Sequence, residues 1–251
     1  MAHQHIHRWR RVQRDNPPYR TDVMHLLLAT ICRHTFLPIL DCNSVVVDLG
    51  ANEGSFSHEI IKRFGCTVFA AEPIKSVSAR TGTHPRLTVL NCGIGKETGE
   101  VTINVFRDRC ASLLPPRPNE AATGEKIEVV TFSRFLSLTG VFEVDLLKLD
   151  IEGAELDVLD SIDDETLRRI RQITVEFHDF IYPDTARRVD SIRQRLRAAG
   201  FHDICFSLDN SDVLFINRNL RVSKLNLMLL RTVVKYARGI SRRHGRLFRR
   251  T

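Results

Sequence analysis

Val45-Val46-Val47-Asp48-Leu49-Gly50-Ala51-Asn52-Glu53-Gly54-Ser55-Phe56 runs from an apolar strand through a corner of small residues into the start of a helix. Glycines at such a corner let the main chain approach a ligand closely. Ala71-Glu72-Pro73 follows, with Glu72 lying 22 residues beyond Gly50. That separation suits an acid that accepts hydrogen bonds from ribose hydroxyls at the end of the next strand. The stretch therefore predicts a nucleoside-binding βαβ unit, against the competing reading of a plain strand-turn-helix without a ligand.

A dinucleotide site requires Gly-x-Gly-x-x-Gly, so that pyrophosphate can rest on the helix N-terminus. Here Asp48 precedes the first glycine and Glu53 sits inside the turn. Two acids repel a pyrophosphate and attract the ammonium and sulfonium of S-adenosylmethionine, which is the expected cofactor. Asp48, Gly50, Ala51, Asn52, Gly54, Ser55, Phe56 and Glu72 are the residues expected to hold it.

Outward from this corner the chain alternates. Arg20 to Leu40 carries Val23, Leu26, Leu27, Ile31 and Phe36 and reads as a packed helix. Strands are expected at 44–49, 67–71, 87–91, 144–149 and 173–177, with a helix at 55–64 and another at 184–199 that stops at Gly200. Asn91-Cys92-Gly93 ends the third strand and joins the cofactor-binding set. Two further β-like runs, 100–106 and 126–131, flank Ala111 to Pro118, an insertion placed near the ligand edge. Closing strands at 204–208 and 212–217 bracket the turn Asp209-Asn210-Ser211. The expected fold is α/β: a class I methyltransferase (Rossmann-like) seven-stranded sheet with an antiparallel last strand and helices on both faces.

The 251 residues, 43% of them hydrophobic, suffice for one sizeable core. The expected organisation is an N-terminal extension and helix over 1–40, a methyltransferase domain over 41–218 and a basic tail over 219–251. Six scattered cysteines without Cys-x-x-Cys spacing suggest neither a disulfide framework nor a zinc site. Together with a His- and Arg-rich start that lacks an apolar core, they predict a cytoplasmic location. The net charge of +7 belongs to the tail: after Asp212 there are eleven Lys and Arg and no acid. On a helix from Lys224, Leu225, Leu229, Val233, Tyr236 and Ile240 oppose a cationic stripe, so peripheral contact with an anionic membrane is expected, with docking on the sheet as the rival reading. Nucleic acid is disfavoured as a partner, since no aromatic platform accompanies the charge.

Val45 to Gly54, Ala71-Glu72-Pro73, Asn91-Cys92-Gly93-Ile94-Gly95, Asp145-Leu146-Leu147-Lys148-Leu149-Asp150-Ile151-Glu152-Gly153-Ala154-Glu155 and Val175-Glu176-Phe177-His178 resemble, in order and spacing, the FkbM-type methyltransferases. The resemblance spans about residues 44–217, and its Lys-Leu-Asp-Ile-Glu-Gly-Ala-Glu block is the most specific part. It implies methyl transfer from S-adenosylmethionine to oxygen, often a sugar hydroxyl of a glycan, glycolipid or natural product. Phe132-Ser133 stands where that family usually has Leu-Asp. The alternatives are a nucleic-acid methyltransferase anchored by the tail and a cofactor-binding module without catalysis.

The candidate catalytic residues are His178, Asp150, Glu152 and Glu176, because the C-terminal ends of adjacent parallel strands face one crevice. His178 is the first choice of base, since imidazole titrates near neutrality; a surface histidine is the competing reading. Asp150 is also placed against the cofactor, and for both Asp150 and Glu152 helix capping is the rival role. The same residue types suit a divalent metal, but linear spacing shows no convergence and no metal ligand is assigned.

Overall fold

The quoted corner stands at the centre of the sheet in the computed structural model, which describes residues 28–106, 111–112, 122–179, 183–207, 209–220 and 222–234. A hairpin, β1 (Ala29–Ile31) and β2 (His34–Phe36), precedes β3 (Val45–Leu49), α1 (Ser55–Phe64), β4 (Thr67–Ala71), α2 (Lys75–Ser78) and β5 (Leu87–Leu90). Then come β6 (Gly93–Gly95), β7 (Gly99–Phe106), β8 (Ala111–Ser112), β9 (Ala122–Thr131) and α3 (Phe132–Thr139). The chain continues through β10 (Leu146–Leu149), α4 (Glu155–Ser161), α5 (Asp164–Arg168), β11 (Gln172–Val175), α6 (Ala186–Ala198), β12 (Phe201–Cys205), β13 (Val213–Asn217) and α7 (Lys224–Leu229).

Seven strands form the main sheet in the order β12-β13-β11-β10-β3-β4-β5. β10, β3, β4, β5 and β11 run parallel, and β13 inserts antiparallel between β11 and β12. Strand order reverses between β3 and β10, where their two crossovers leave in opposite directions; such a switch point opens a crevice at the C-terminal strand ends.

Both faces of the sheet are covered. Val47, Leu49, Leu147, Leu149, Ile173 and Val175 pack against Phe132 and Phe135 of α3, Val158 and Leu159 of α4 and Ile192 and Leu196 of α6. The alternate residues Val46, Val68, Leu146, Leu214 and Ile216 meet Phe56, Ile60 and Ile61 of α1 together with Phe36. This period-two division is what β-strands buried on both faces require. Each fully buried aliphatic or aromatic side chain contributes about 1.5–3 kcal/mol, so the two clusters hold the crevice walls rigidly.

Four expectations change. The helix expected over Arg20 to Leu40 is a β-hairpin where the structure describes it, from residue 28 on, while 20–27 lie outside the described residues. β-Branched Thr30, Ile31 and Thr35 favour the strand, and Thr35 is bolted to the sheet by Asp212, whose carboxylate accepts its N–H at 3.0 Å and its hydroxyl at 2.7 Å. The paired runs after β5 belong to a separate four-stranded sheet, β6-β9-β7-β8, with most of the insertion outside the described residues. β12 starts at Phe201 rather than 204, because Gly200 (φ +99°) turns the chain directly from α6 into the strand. Finally, α7 buries Leu227, and Leu230 just after it, against the sheet and exposes Leu225 and Met228, so its inner face differs from the expected Leu225-Leu229 line. The tail from 235 onward lies outside the described residues.

Candidate functional site

Main-chain geometry at the corner is set by close approach. Gly50 has φ +78°, and a Cβ there would sit 1.8 Å from the carbonyl oxygen of Asp150. β3 and β10 can pack this tightly only with hydrogen at that position. A Gly50→Ala protein is expected to lose about 1–3 kcal/mol from the left-handed backbone alone, before the overlap is counted. Its urea midpoint should fall and its cofactor affinity with it; wild-type values for both would refute the reading of this corner.

Beside it lies a crevice that is partly open to solvent. Gly50, Asn52, Glu72, Cys92, Gly93, Asp150 and Glu152 line it, together with Ile74, Ile94, Ile103, Ile127 and Val129. Half of the expected cofactor set therefore converges. Glu72 is 6% exposed and accepts main-chain N–H groups from Asn52 at 2.9 Å and Ile74 at 3.0 Å. Burial pushes its carboxyl up, against the pull of those two N–H groups. Each oxygen keeps a lone pair for a further donor.

The other expected residues support the crevice from behind. Asn91 donates to the carbonyls of Glu72 and Pro73 at 2.8 and 3.1 Å, fixing the β4 end. Gly54, at φ +80°, precedes the first turn of α1. Ala51 and Phe56 are buried, Phe56 against Phe36, and Ser55 is exposed.

Asp48 is fully buried and forms an ion pair with Lys148 at 3.0 Å, while the Ser57 hydroxyl donates to it at 2.6 Å. Glu53 pairs with Arg80 at 2.8 Å. The expectation that these two acids offer uncompensated negative charge to a ligand is thus not met. The carboxylates that face the crevice are Glu72, Asp150 and Glu152 instead.

Lys148 knots the two central strands together. Its ammonium donates to the Gly50 carbonyl at 2.7 Å and lies 3.8 Å from Asp150. Burial pulls its acidity one way and Asp48 and Asp150 pull it the other, leaving it raised above the ordinary lysine value. A lone cation in the apolar run Leu146-Leu147-Lys148-Leu149 must find a counter-charge, a signal present in the sequence but unused.

Around Asp150 the acids and histidines gather. Burial opposes ionisation of Asp150, yet Lys148 and His34 hold its carboxyl well below the usual range. His178 Nε2 lies 3.3 Å from Glu152, and its Nδ1 lies 3.1 Å from Glu155. Burial alone would lower His178; Glu155, Glu152 and Asp150 overcome it and push it up to about 9. Glu155 also accepts N–H groups of Ile151 and Gly153, which shapes the loop where Glu152 adopts a left-handed φ of +53°. Glu176, 3% exposed, is pushed up to about 7 by burial and by Asp150, against Arg33 and His178.

Arg33 and His34, from the hairpin, are the residues at this cluster that the sequence did not point to. Arg33 donates to Glu176 at 3.1 Å, and His34 Nε2 lies 3.3 Å from Asp150. Nothing local in the sequence announces these contacts, which join residues 143 and 116 positions apart. Donor atoms of His34, Asp150 and Glu176 lie within 4.8 Å of one another, as do those of Asp150, Glu152 and His178. Arg33, Lys148 and His178 face these carboxylates, with Lys148 shared with Asp48 and His178 shared with Glu155.

A parallel sheet reversing at β3 and β10, an acid at the end of β4 and a crevice at the switch point define the domain of an S-adenosylmethionine-dependent methyltransferase of class I. The crevice offers the buried Glu72 carboxylate, an apolar wall of isoleucines and Val129, and two further acids, Asp150 and Glu152, groups of the chemistry that such a cofactor needs. The chain belongs to the FkbM methyltransferase family, whose Methyltransferase FkbM domain matches residues 48–202. It is 29% identical over 176 residues to 31-O-demethyl-FK506 methyltransferase FkbM of Streptomyces tacrolimicus, covering 54% of this chain and 65% of that one. AMB antimetabolite synthetase AmbE of Pseudomonas aeruginosa is 27% identical over 205 residues, 65% of this chain but 10% of the synthetase. The chain thus spans less than two thirds of the length of either relative. Among solved structures, CalO1, a methyltransferase in calicheamicin biosynthesis, aligns over 72% of this chain and 50% of its own at 13% identity and a TM-score of 0.36.

Proposed function

We propose that the protein transfers a methyl group from S-adenosylmethionine to a hydroxyl of a sugar or natural-product acceptor. The observation that carries this is Glu176, a buried carboxyl held up to about 7 and grouped with Asp150 at the edge of the crevice. A group that titrates near working pH is matched to accepting a proton from an alcohol. The relative from Streptomyces tacrolimicus, named for a 31-O-demethyl acceptor, supports oxygen as the methyl acceptor.

In this reading S-adenosylmethionine, when bound, supplies an electrophilic methyl carbon. Glu72 binds the ribose, Gly50 and Asn52 let the main chain close on the ligand, and Asp150 remains a carboxylate through Lys148 and His34. Glu176 receives the hydroxyl proton. His178, held as an imidazolium between Glu155 and Glu152, lacks a lone pair for the same task below about pH 9, so the base role expected of it falls to Glu176. Incubation with methyl-labelled cofactor and separated glycolipid, glycan and small-molecule fractions should place label in ether linkages stable to mild base. Label confined to nitrogen, sulfur or ester products would overturn the proposal.

The tail supports a place at an anionic membrane. Leu225 and Met228 are 55% and 60% exposed on one side of α7, and the eleven cations after Asp212 have no acid among them. Among the described residues no helix is long and apolar enough to cross a membrane. Vesicles containing phosphatidylglycerol should sediment the protein at low salt, at about 1 kcal/mol per basic residue near the surface. Neutral vesicles should not, and Leu225→Ser with Met228→Ser should weaken the binding. Equal binding to neutral vesicles, or selective binding of RNA, would refute this location.

A further inference from the structure

The β1–β2 hairpin turns on Cys32 and Arg33, and both stand at left-handed φ, +45° and +70°. Ile31 pairs with His34, so the loop has two residues and the geometry of a type I′ turn. Asn-Gly is the sequence that such a turn favours, because both central residues need positive φ. Cysteine and arginine carry a Cβ into that region at a conformational cost, and strain of this kind persists where the surroundings over-determine it.

The surroundings here do so. Asp212 holds Thr35, Gln172 exchanges hydrogen bonds with both main-chain groups of Leu37 at 2.8 and 3.2 Å, and Phe36 is fully buried. So anchored, the turn projects over the C-terminal ends of β10 and β11. The Arg33 side chain is 69% exposed while the Glu176 carboxylate beneath it is 4% exposed. Asp150, Glu152 and His178 also face Glu176, with His34 across the site. The hairpin precedes residues 48–202, so the family match does not include it.

We infer that this turn is the acceptor-side wall of the site, and that Arg33 is a positioning residue that holds the Glu176 carboxylate toward the incoming hydroxyl. The inference rests on the proposed role of Glu176. A glycine would relax this turn but has no guanidinium to hold Glu176.

Exchanging the turn for its preferred sequence tests this directly. The full-length Cys32→Asn/Arg33→Gly protein should melt higher than wild type, bind S-adenosylmethionine with an unchanged Kd, and turn over at least about tenfold more slowly. Arg33→Lys, which keeps the charge without the fork, should recover part of the rate. A double variant with wild-type kcat overturns the inference, and so does one that melts lower. Should the wild-type protein transfer no methyl group to any acceptor, the functional reading fails and the contact itself is still testable. Carbon-13 NMR of labelled glutamate must then show Glu176 titrating at higher pH in Arg33→Gly than in wild type, and an unchanged titration overturns the inference.

Discussion

Lys148→Ala is expected to destabilise the protein by about 3–5 kcal/mol, because it strips the cation from a carboxylate with no access to water. Asp48 is 0% exposed and its ammonium partner 3.0 Å away is itself buried. Alanine also removes the donor to the Gly50 carbonyl at 2.7 Å, at the corner where β3 and β10 press together. The loss is a large fraction of the 5–15 kcal/mol that holds a typical domain. The damage should be repaired in a specific way. Asp48→Asn with Lys148→Met replaces the pair by neutral groups of similar volume, and exchanging a buried pair for neutral or apolar residues is often close to neutral in stability. Urea unfolding of wild type, Asp48→Asn, Lys148→Met and the double variant closes a double-mutant cycle: the two single variants should sum to a larger loss than the double variant shows. Strict additivity would mean that Lys148 acts through packing and that the two charges are uncoupled. Cofactor affinity separates structure from function in the same set, since the repaired double variant restores the fold while leaving Asp150 without its nearby ammonium.

What was legible in the sequence follows the reach of its signals. Val45 to Leu49 falls where its apolar run places a buried strand, and Ser55 to Phe64 where period 3.6 places a helix, since burial imposes both patterns locally. The corner glycines were legible for the same reason, as a tight turn admits few residues. The charge argument at the corner was not, because a sequence shows an acid without its partner. Asp48 meets a lysine 100 positions later, and Glu53 meets Arg80. Asp203 likewise stands inside a strand only because Arg193 and Arg197 of α6 cover it at 2.8 and 2.7 Å. The hairpin escaped notice because its turn lacks the Asn-Gly signature and its apolar residues also fit a helical spacing. Parallel strand ends do bring Asp150, Glu152, Glu176 and His178 together, with Asp150 and Glu152 on the crevice and Glu176 and His178 beside Asp150, but what each side chain does depends on burial and on Arg33. Neither can be read before the chain is folded.

Glu176→Gln divides that labour experimentally. The amide keeps the shape and hydrogen-bonding length of the side chain but accepts no proton at neutral pH, so kcat should fall by about 10²–10⁴-fold, the usual contribution of a positioned base. Some rate should survive. Holding the reactants in attack geometry supplies about 7–11 kcal/mol, more than the base, and Glu176 does not line the crevice that would hold the cofactor. The Kd for S-adenosylmethionine should therefore remain that of the wild type. The pH profile carries the sign: a base that must be ionised works above its pKa, so wild-type kcat should decline as pH drops below about 7. That acid limb should be missing from the glutamine variant. Stability should move the other way. The folded pKa lies above the ordinary glutamate value, so the carboxyl destabilises the native state as pH rises through the interval from about 4.5 to about 7, and the neutral amide removes that cost. Arg33 loses its partner, but a side chain 69% exposed pays little for that. Near pH 8 the variant should consequently melt no lower than wild type while turning over far more slowly. A kcat reduced less than about tenfold, or an acid limb that persists without the carboxylate, would place the proton acceptor elsewhere and leave Glu176 a buried acid of the wall.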